Sequence, residues 1–279
     1  MRPFYRELVL GPWLAVALSG LLLLLLLLIP FPELDAFKEE AWSLRFTDRN
    51  GELLQILPVD ESGLRREFLP LTEIPPRLLR IMLISEDSRF FLHPGVDPAA
   101  VLRALFANRS SGRIVSGAST VSMQLARRIA PEGSGMRAKL IEAWNALRLE
   151  LRLSKREILE LWLNTLPLGA NVEGIASGSR EYFGREAPFL SLAESALLAL
   201  IPRNPRRYAP AAGNLEARDA ALALLRRAGY RAETTAVEAA LTEAKERAQV
   251  AGYPFLAPHF VRLASRRYRG RGEAPDATT

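Results

Sequence analysis

The stretch SEDSRFFLHPG, residues 85–95, sets two acids, Glu86 and Asp87, between an apolar run (IMLI, 81–84) and a phenylalanine pair. One of the chain's two histidines and a Pro-Gly turn follow. A carboxylate among apolar side chains loses hydration, and such a group can serve as a general acid or base. Phe90 and Phe91 are expected to provide that packing. His93 reads either as a third catalytic group or as support for the turn fixed by Pro94 and Gly95. The turn reading is favoured, because Pro-Gly sets the backbone regardless of the ring. A second acid, Glu142, lies at 100° per residue almost opposite the stripe Leu140, Trp144, Leu147 and Leu151. That places it on a solvated face or, given Ala138, Ala146 and Lys139 nearby, on a cleft wall. The pattern leaves both open.

The charge pattern bears on what such acids would act upon. From Arg103 to Lys139 there are seven basic residues and one acid, Glu132, so this segment alone is +6 and the rest of the chain is balanced. Local cationic excess implies an anionic partner: phosphate, nucleic acid or anionic lipid. Within the segment, GRIVSGAST (112–120) offers glycine N–H groups and a helix start expected at Ser119, which suit a pyrophosphate that arginines neutralise. A solvated basic loop would look the same. No Walker lysine is present, which excludes a P-loop NTPase. With no cysteine and two histidines, a disulfide framework, a thiol nucleophile and a histidine-rich metal site are excluded or disfavoured.

The elements that must position these residues are mostly helical. Residues 8–29 carry no charge and are long enough to cross a bilayer, with Arg2 and Arg6 before them and Glu33, Asp35, Glu39 and Glu40 after. An uncleaved single-pass anchor is expected, with the N-terminus cytoplasmic and the body outside. A protein facing the outside of a membrane has little use for nucleic acid, so lipid phosphates fit the cationic segment better. Asn50-Gly51 between alternating segments predicts a hairpin. Helices are predicted from Pro76 to Ser85, from Pro98 (capped by Asp97), after Ser119, and from Met136 to about Leu153. Capping boxes at Ser154/Glu157 and Ser191/Glu194 start two more, and Asn214 and Thr235 begin the last. The expected organisation is a cytoplasmic start and anchor (1–30), an extended β-hairpin lead-in (31–72), a mainly α catalytic domain (73–262) and a disordered tail (263–279).

Taken in order, these stretches resemble the peptidoglycan glycosyltransferases (glycosyltransferase family 51), the N-terminal module of class A penicillin-binding proteins and the monofunctional transglycosylases. EDSRFFLHPGVD (86–97) looks like the first family motif and GRIVSGASTVSMQLAR (112–127) like the second. KLIEAWNALRLE (139–150) and KREILELWLN (155–164) match the third and fourth, and EARDAALALL (216–225) is a weakened fifth. Met123-Gln124 and the Ser-Gly-Ala-Ser-Thr run are most similar to the penicillin-binding protein 1C branch. The resemblance implies a lysozyme-like helical fold beside a bacterial inner membrane, on its extracytoplasmic side, polymerising lipid II. It implies Glu86 as general base on the acceptor 4-hydroxyl and Glu142 as a second carboxylate near the donor pyrophosphate or a divalent cation (Mg or Mn) bridging to it. Arg113, Arg127 and Lys139 would contact pyrophosphate, Ser119, Thr120 and Gln124 would shape the donor site, and Asp87, Phe90, His93 and Gly95 would support the loop.

The implied partners are lipid II, the growing glycan strand, the membrane and cell-wall synthesis proteins including a separate transpeptidase, with no organic cofactor. Ser122, Met123, Ala118, Ala138 and Ala217 depart from the family's usual residues. No Ser-x-x-Lys or Lys-Thr-Gly occurs, so no penicillin-binding transpeptidase domain is expected within these residues. A lysozyme-like hydrolase or lytic transglycosylase, and an inactive anchored scaffold, are the rival readings.

Overall fold

Why the helices start where they do is legible in their caps. In a computed structural model, residues 20, 21, 25, 28–111, 119–169, 171–231, 233–251 and 254–269 are described. Helix α1 spans Pro32–Lys38 and α2 Pro76–Glu86, each with proline in its first turn. Helix α3 spans Pro98–Ser111, and Asp97 Oδ1 accepts from the N–H groups of Ala99 and Ala100. Helix α4 is Val121–Ile129, α5 Met136–Glu150 and α6 Lys155–Thr165. The capping boxes at Ser154 and Ser191 both form, the second opening α8 (Leu192–Leu198) after α7 (Ile175–Phe183). Short α9 (Pro205–Tyr208) precedes α10 (Leu215–Arg227), α11 (Thr234–Ala251) and α12 (Pro258–Arg269). The mainly helical expectation holds, with small sheets.

Strands β1 (Leu44–Thr47) and β2 (Leu53–Leu57) form the antiparallel hairpin expected at Asn50-Gly51. A second sheet was not expected: β3 (Arg65–Arg66) runs parallel to β5 (Val172–Glu173), which pairs antiparallel with β4 (Pro167–Gly169). The lead-in region is therefore stitched to the body, and Phe31, Leu34 and Phe37 of α1 are buried in the same core as Phe90, Trp162 and Phe183.

Three sequence expectations are corrected. The cap of α4 is Thr120, whose hydroxyl accepts from Met123 N–H, and not Ser119. The tail does not begin at 263, because α12 continues to Arg269. The apolar stripe of α5 is its more exposed side: Leu140 and Leu151 are exposed and Trp144 and Leu147 half-buried, while Ala138, Glu142, Asn145, Ala146 and Leu149 are buried. Small side chains let that face come close to its neighbours, and close packing here outweighs the hydrophobicity of the larger residues. The apolar run at 8–29 lies almost wholly outside the described residues; among the described residues no helix is long and apolar enough to cross a membrane.

Candidate active site

The end of α2 delivers Glu86 and Asp87 in different directions. Asp87 turns inward: its carboxylate accepts from His93 Nε2 at 3.0 Å and from Val121 N–H, at the start of α4, at 3.0 Å. His93 Nδ1 accepts from Gly95 N–H at 3.2 Å, so Nε2 is the nitrogen that carries the proton toward Asp87. His93 is buried and engaged at both nitrogens, which makes it the support of the turn. Gly95 has φ +101°, and a Cβ there would stand 2.9 Å from the Ala146 carbonyl oxygen on α5. Thr120, also buried, donates its hydroxyl to the Gly95 carbonyl.

Glu86 keeps a small opening to solvent, with 11% of its side chain exposed. Its Oε2 accepts from Gln124 Nε2 at 3.0 Å; its Oε1 faces Arg203 Nε at 3.2 Å and the Ser85 hydroxyl at 3.2 Å. Gln124 cannot be turned the other way, because its Oε1 accepts from the buried indole of Trp162 at 3.1 Å. Arg203 is held in place by a further bond to the Ser85 carbonyl. The surroundings that hold Glu86 are thus polar rather than the phenylalanine pair. Phe90 is buried beneath Lys155, whose Nζ lies 4.3 Å from the ring centroid, and Phe91 is exposed.

One turn further along α4, Arg127 faces Glu142. The Glu142 side chain is buried and meets Lys139 Nζ at 2.6 Å and Arg127 Nη1 at 3.8 Å. Lys139 also donates to the Ser119 hydroxyl at 3.1 Å. Helix α4 therefore spaces Gln124 and Arg127 three residues apart, one on each acid. Beside them is an open pocket of about 180 Å³, lined by Gln124 and Arg127 with Arg128, Trp162 and Pro202 among others. Arg128 reaches outward to Glu173 and Glu40, a pair shared with the buried Arg66. Lys155 ties the parts together, donating to the His93 carbonyl at 2.7 Å and to Glu150 at 2.8 Å; the Ser122 hydroxyl donates to that same Glu150 oxygen.

Of the residues singled out from sequence, Gln124 and Arg127 line this pocket, Glu86 bonds to the first, and Glu142, Lys139 and Ser119 cluster at the second. Thr120, Asp87, His93 and Gly95 sit behind it as framework. Arg113 and the glycine-rich loop at 112–118 lie outside the described residues. The departures from the family pattern at Ser122, Met123, Ala138 and Ala217 are all buried and do not face the cleft. Trp162 and Arg203 escaped the sequence reading: the first looks like core, the second lies in a Pro-rich turn far along the chain. For a divalent ion, Glu142 is a single carboxylate already paired with two cations, and among the described residues no cluster of three or more metal-ligating side chains forms. The described side chains therefore do not form a metal site by themselves, without ligands from a substrate.

A transglycosylase family model matches residues 50–229. The chain belongs to the transglycosylase family. It is 41% identical over 151 residues to penicillin-binding protein 1C of Escherichia coli, covering 54% of this chain and 20% of that protein. It is 40% identical over 148 residues to penicillin-binding protein 1A of the same organism, covering 52% and 17%. Penicillin-binding protein 1F of Bacillus subtilis is 34% identical over 201 residues, covering 71% and 28%. The chain thus spans between 17% and 28% of the length of these relatives. A crystal structure of penicillin-binding protein 1A from Haemophilus influenzae aligns over 84% of this chain and 25% of its own, at 18% identity and a TM-score of 0.36, a likeness too loose to carry weight.

Proposed function

We propose that this transglycosylase is a membrane-anchored peptidoglycan glycosyltransferase that polymerises lipid II into glycan strands on the extracytoplasmic side of a bacterial inner membrane. The observation that carries the reading is the Glu86 carboxylate, held on both oxygens, with the Arg127–Glu142–Lys139 group one turn further along α4. Glu86 takes the proton from the 4-hydroxyl of the acceptor N-acetylglucosamine. The oxygen attacks C1 of the donor N-acetylmuramic acid, the bond from C1 to the pyrophosphate breaks, and undecaprenyl pyrophosphate departs with the electron pair. Such a leaving group needs its charge met more than it needs a proton, and Arg127, Lys139 and Arg113 meet it. Glu142 holds Lys139 and Arg127 in place until the pyrophosphate arrives. A divalent cation would enter only as an ion carried on that pyrophosphate. Ser119 and Gln124 shape the donor side. The apolar run at 8–29 and the exposed Leu102, Phe106, Met136 and Leu140 support a membrane partner.

Lipid II polymerisation by the purified chain tests this. Glu86→Gln is expected to lower kcat about 10²- to 10⁴-fold, the range of a general base, with an unchanged melting temperature. A variant as fast as the parent would remove Glu86 from the chemistry. Release of fragments from finished sacculi, with no polymer made from lipid II, would favour the hydrolase, which has no use for a cationic leaving-group site.

A further inference from the structure

A second open pocket, of about 530 Å³, shares a wall with the base. It is lined by Gly169, Tyr182, Arg203, Asn204, Pro205 and Arg206. Arg203 is the shared wall, bonded to Glu86 on the side of that carboxylate away from Gln124. No lining residue is acidic. Tyr182 donates its hydroxyl to the Leu168 carbonyl at 2.7 Å, and burial pushes its pKa up, so it adds no negative charge. Asn204 accepts from Arg207 N–H through Oδ1, which leaves its amide N–H groups as the end available to a ligand. Arg206 is exposed, and among the described residues its guanidinium meets no carboxylate. Gly169, at φ +80°, closes one end: a Cβ there would lie 3.1 Å from Pro205 Cβ. The pocket is built of donors and cations and fits an anion.

Glu86 therefore lies between two cationic pockets, and the two differ in their relation to the chain's N-terminal run. The helix carrying Glu142 also carries Arg148, and Arg152 follows just past its end; their guanidinium groups hold the Ile29 and Pro30 carbonyls where that run ends. The Glu142 end is thus the lipid end of the cleft. The Arg203 end receives the part of the substrate farthest from the lipid, where the sugars are neutral and the anionic groups are the carboxylates of the peptide stem. We propose that the Arg203–Arg206 pocket is a subsite for peptide-stem carboxylates. The identity of this ligand rests on the polymerase reading above; the anion-binding chemistry of the pocket does not.

The test pairs binding with turnover. A soluble disaccharide-pentapeptide, without lipid or phosphate, is titrated onto the full chain in detergent, alongside the same ligand with its stem carboxylates converted to amides. Arg206→Glu is expected to weaken binding of the acidic ligand about fivefold or more, the scale of a partly exposed charge-assisted contact. Arg206→Gln should fall between, and neither variant should change binding of the amidated ligand. With lipid II, Arg206→Glu should raise KM by a similar factor at constant kcat, and leave amidated lipid II unaffected. Equal binding of both ligands by the parent chain, or an equal rise in KM for both lipid substrates, would overturn the proposal; the latter outcome would assign the pocket to the pyrophosphate. A parent chain that binds the stem through Arg206 but makes no polymer would sink the polymerase reading and leave the pocket standing. Matching melting temperatures of the three proteins show that the variants fold.

Discussion

Arg180 sits between two carboxylates that titrate in opposite directions. Its Nη2 lies 3.1 Å from Glu186, which also meets Arg45 at 2.6 Å, and its Nε lies 3.5 Å from Glu67. Burial pushes the Glu67 carboxyl above its ordinary 4.5, and the pull of Arg180 and Arg45 is too weak to reverse it. Burial pushes Glu186 up as well, but its bonds and charge contacts with Arg45 and Arg180 win and hold it below 4.5. A carboxyl whose folded pKa is raised binds its proton more tightly in the folded state. Its stabilising contribution is complete below the unfolded pKa and disappears as pH rises through the folded one. Glu67→Gln stays neutral throughout, so its melting temperature relative to the parent should climb as pH rises above the ordinary carboxyl value of 4.5. Melts across that range that stay parallel would show that Glu67 does not titrate in this way.

At the scale of elements, the His-Pro-Gly turn is a spacer between α2 and α5. It works because Gly95 has no side chain to hold them apart. Gly95→Ala combines a positive φ with a contact against the Ala146 carbonyl and the Glu150 side chain, and should cost about 2–3 kcal/mol in denaturant unfolding. A loss under about 0.5 kcal/mol, the scale of a surface substitution, would mean the turn is free to shift. This turn was legible in sequence, as were the hairpin and both capping boxes, because each is written in residues close together along the chain. Glu142 was legible only as a choice between two faces. Hydrophobicity favours the outer stripe of α5, and what decides the face is how closely Ala138 and Ala146 let the neighbours approach, a property of the assembled core. Trp162 and Arg203 could not be read at all: their functional partners lie 38 and 117 residues away, and nothing local marks an indole N–H or a guanidinium that has such a partner. The second sheet was missed for the same reason, since its strands are two or three residues long and join the lead-in region to residues 167–173.

At the scale of the molecule, residues 29–40 belong to the body. Phe31, Leu34 and Phe37 are nearly fully buried, Glu40 pairs with Arg66 and Arg128, and Arg148 lies 4.3 Å over the Phe31 ring while gripping the carbonyls before it. Burial of three such side chains is worth of the order of 5 kcal/mol. A chain begun at Ala41 should therefore lose about that much stability, and most of its polymerising activity in detergent, relative to one begun at Leu28. Equal unfolding midpoints for the two would show the segment to be a passive leader. The grip has a mechanical consequence. On the proposed reading, in which residues 8–29 cross a bilayer, a lead-in fastened to the two helices that carry Gln124 and Glu142 would set the height of the base above the lipid headgroups, as a sewing machine's needle plate is set. Each new sugar pair would then advance the cloth: the strand would slide past a stationary base, and the length of the product would be governed by how easily it slides.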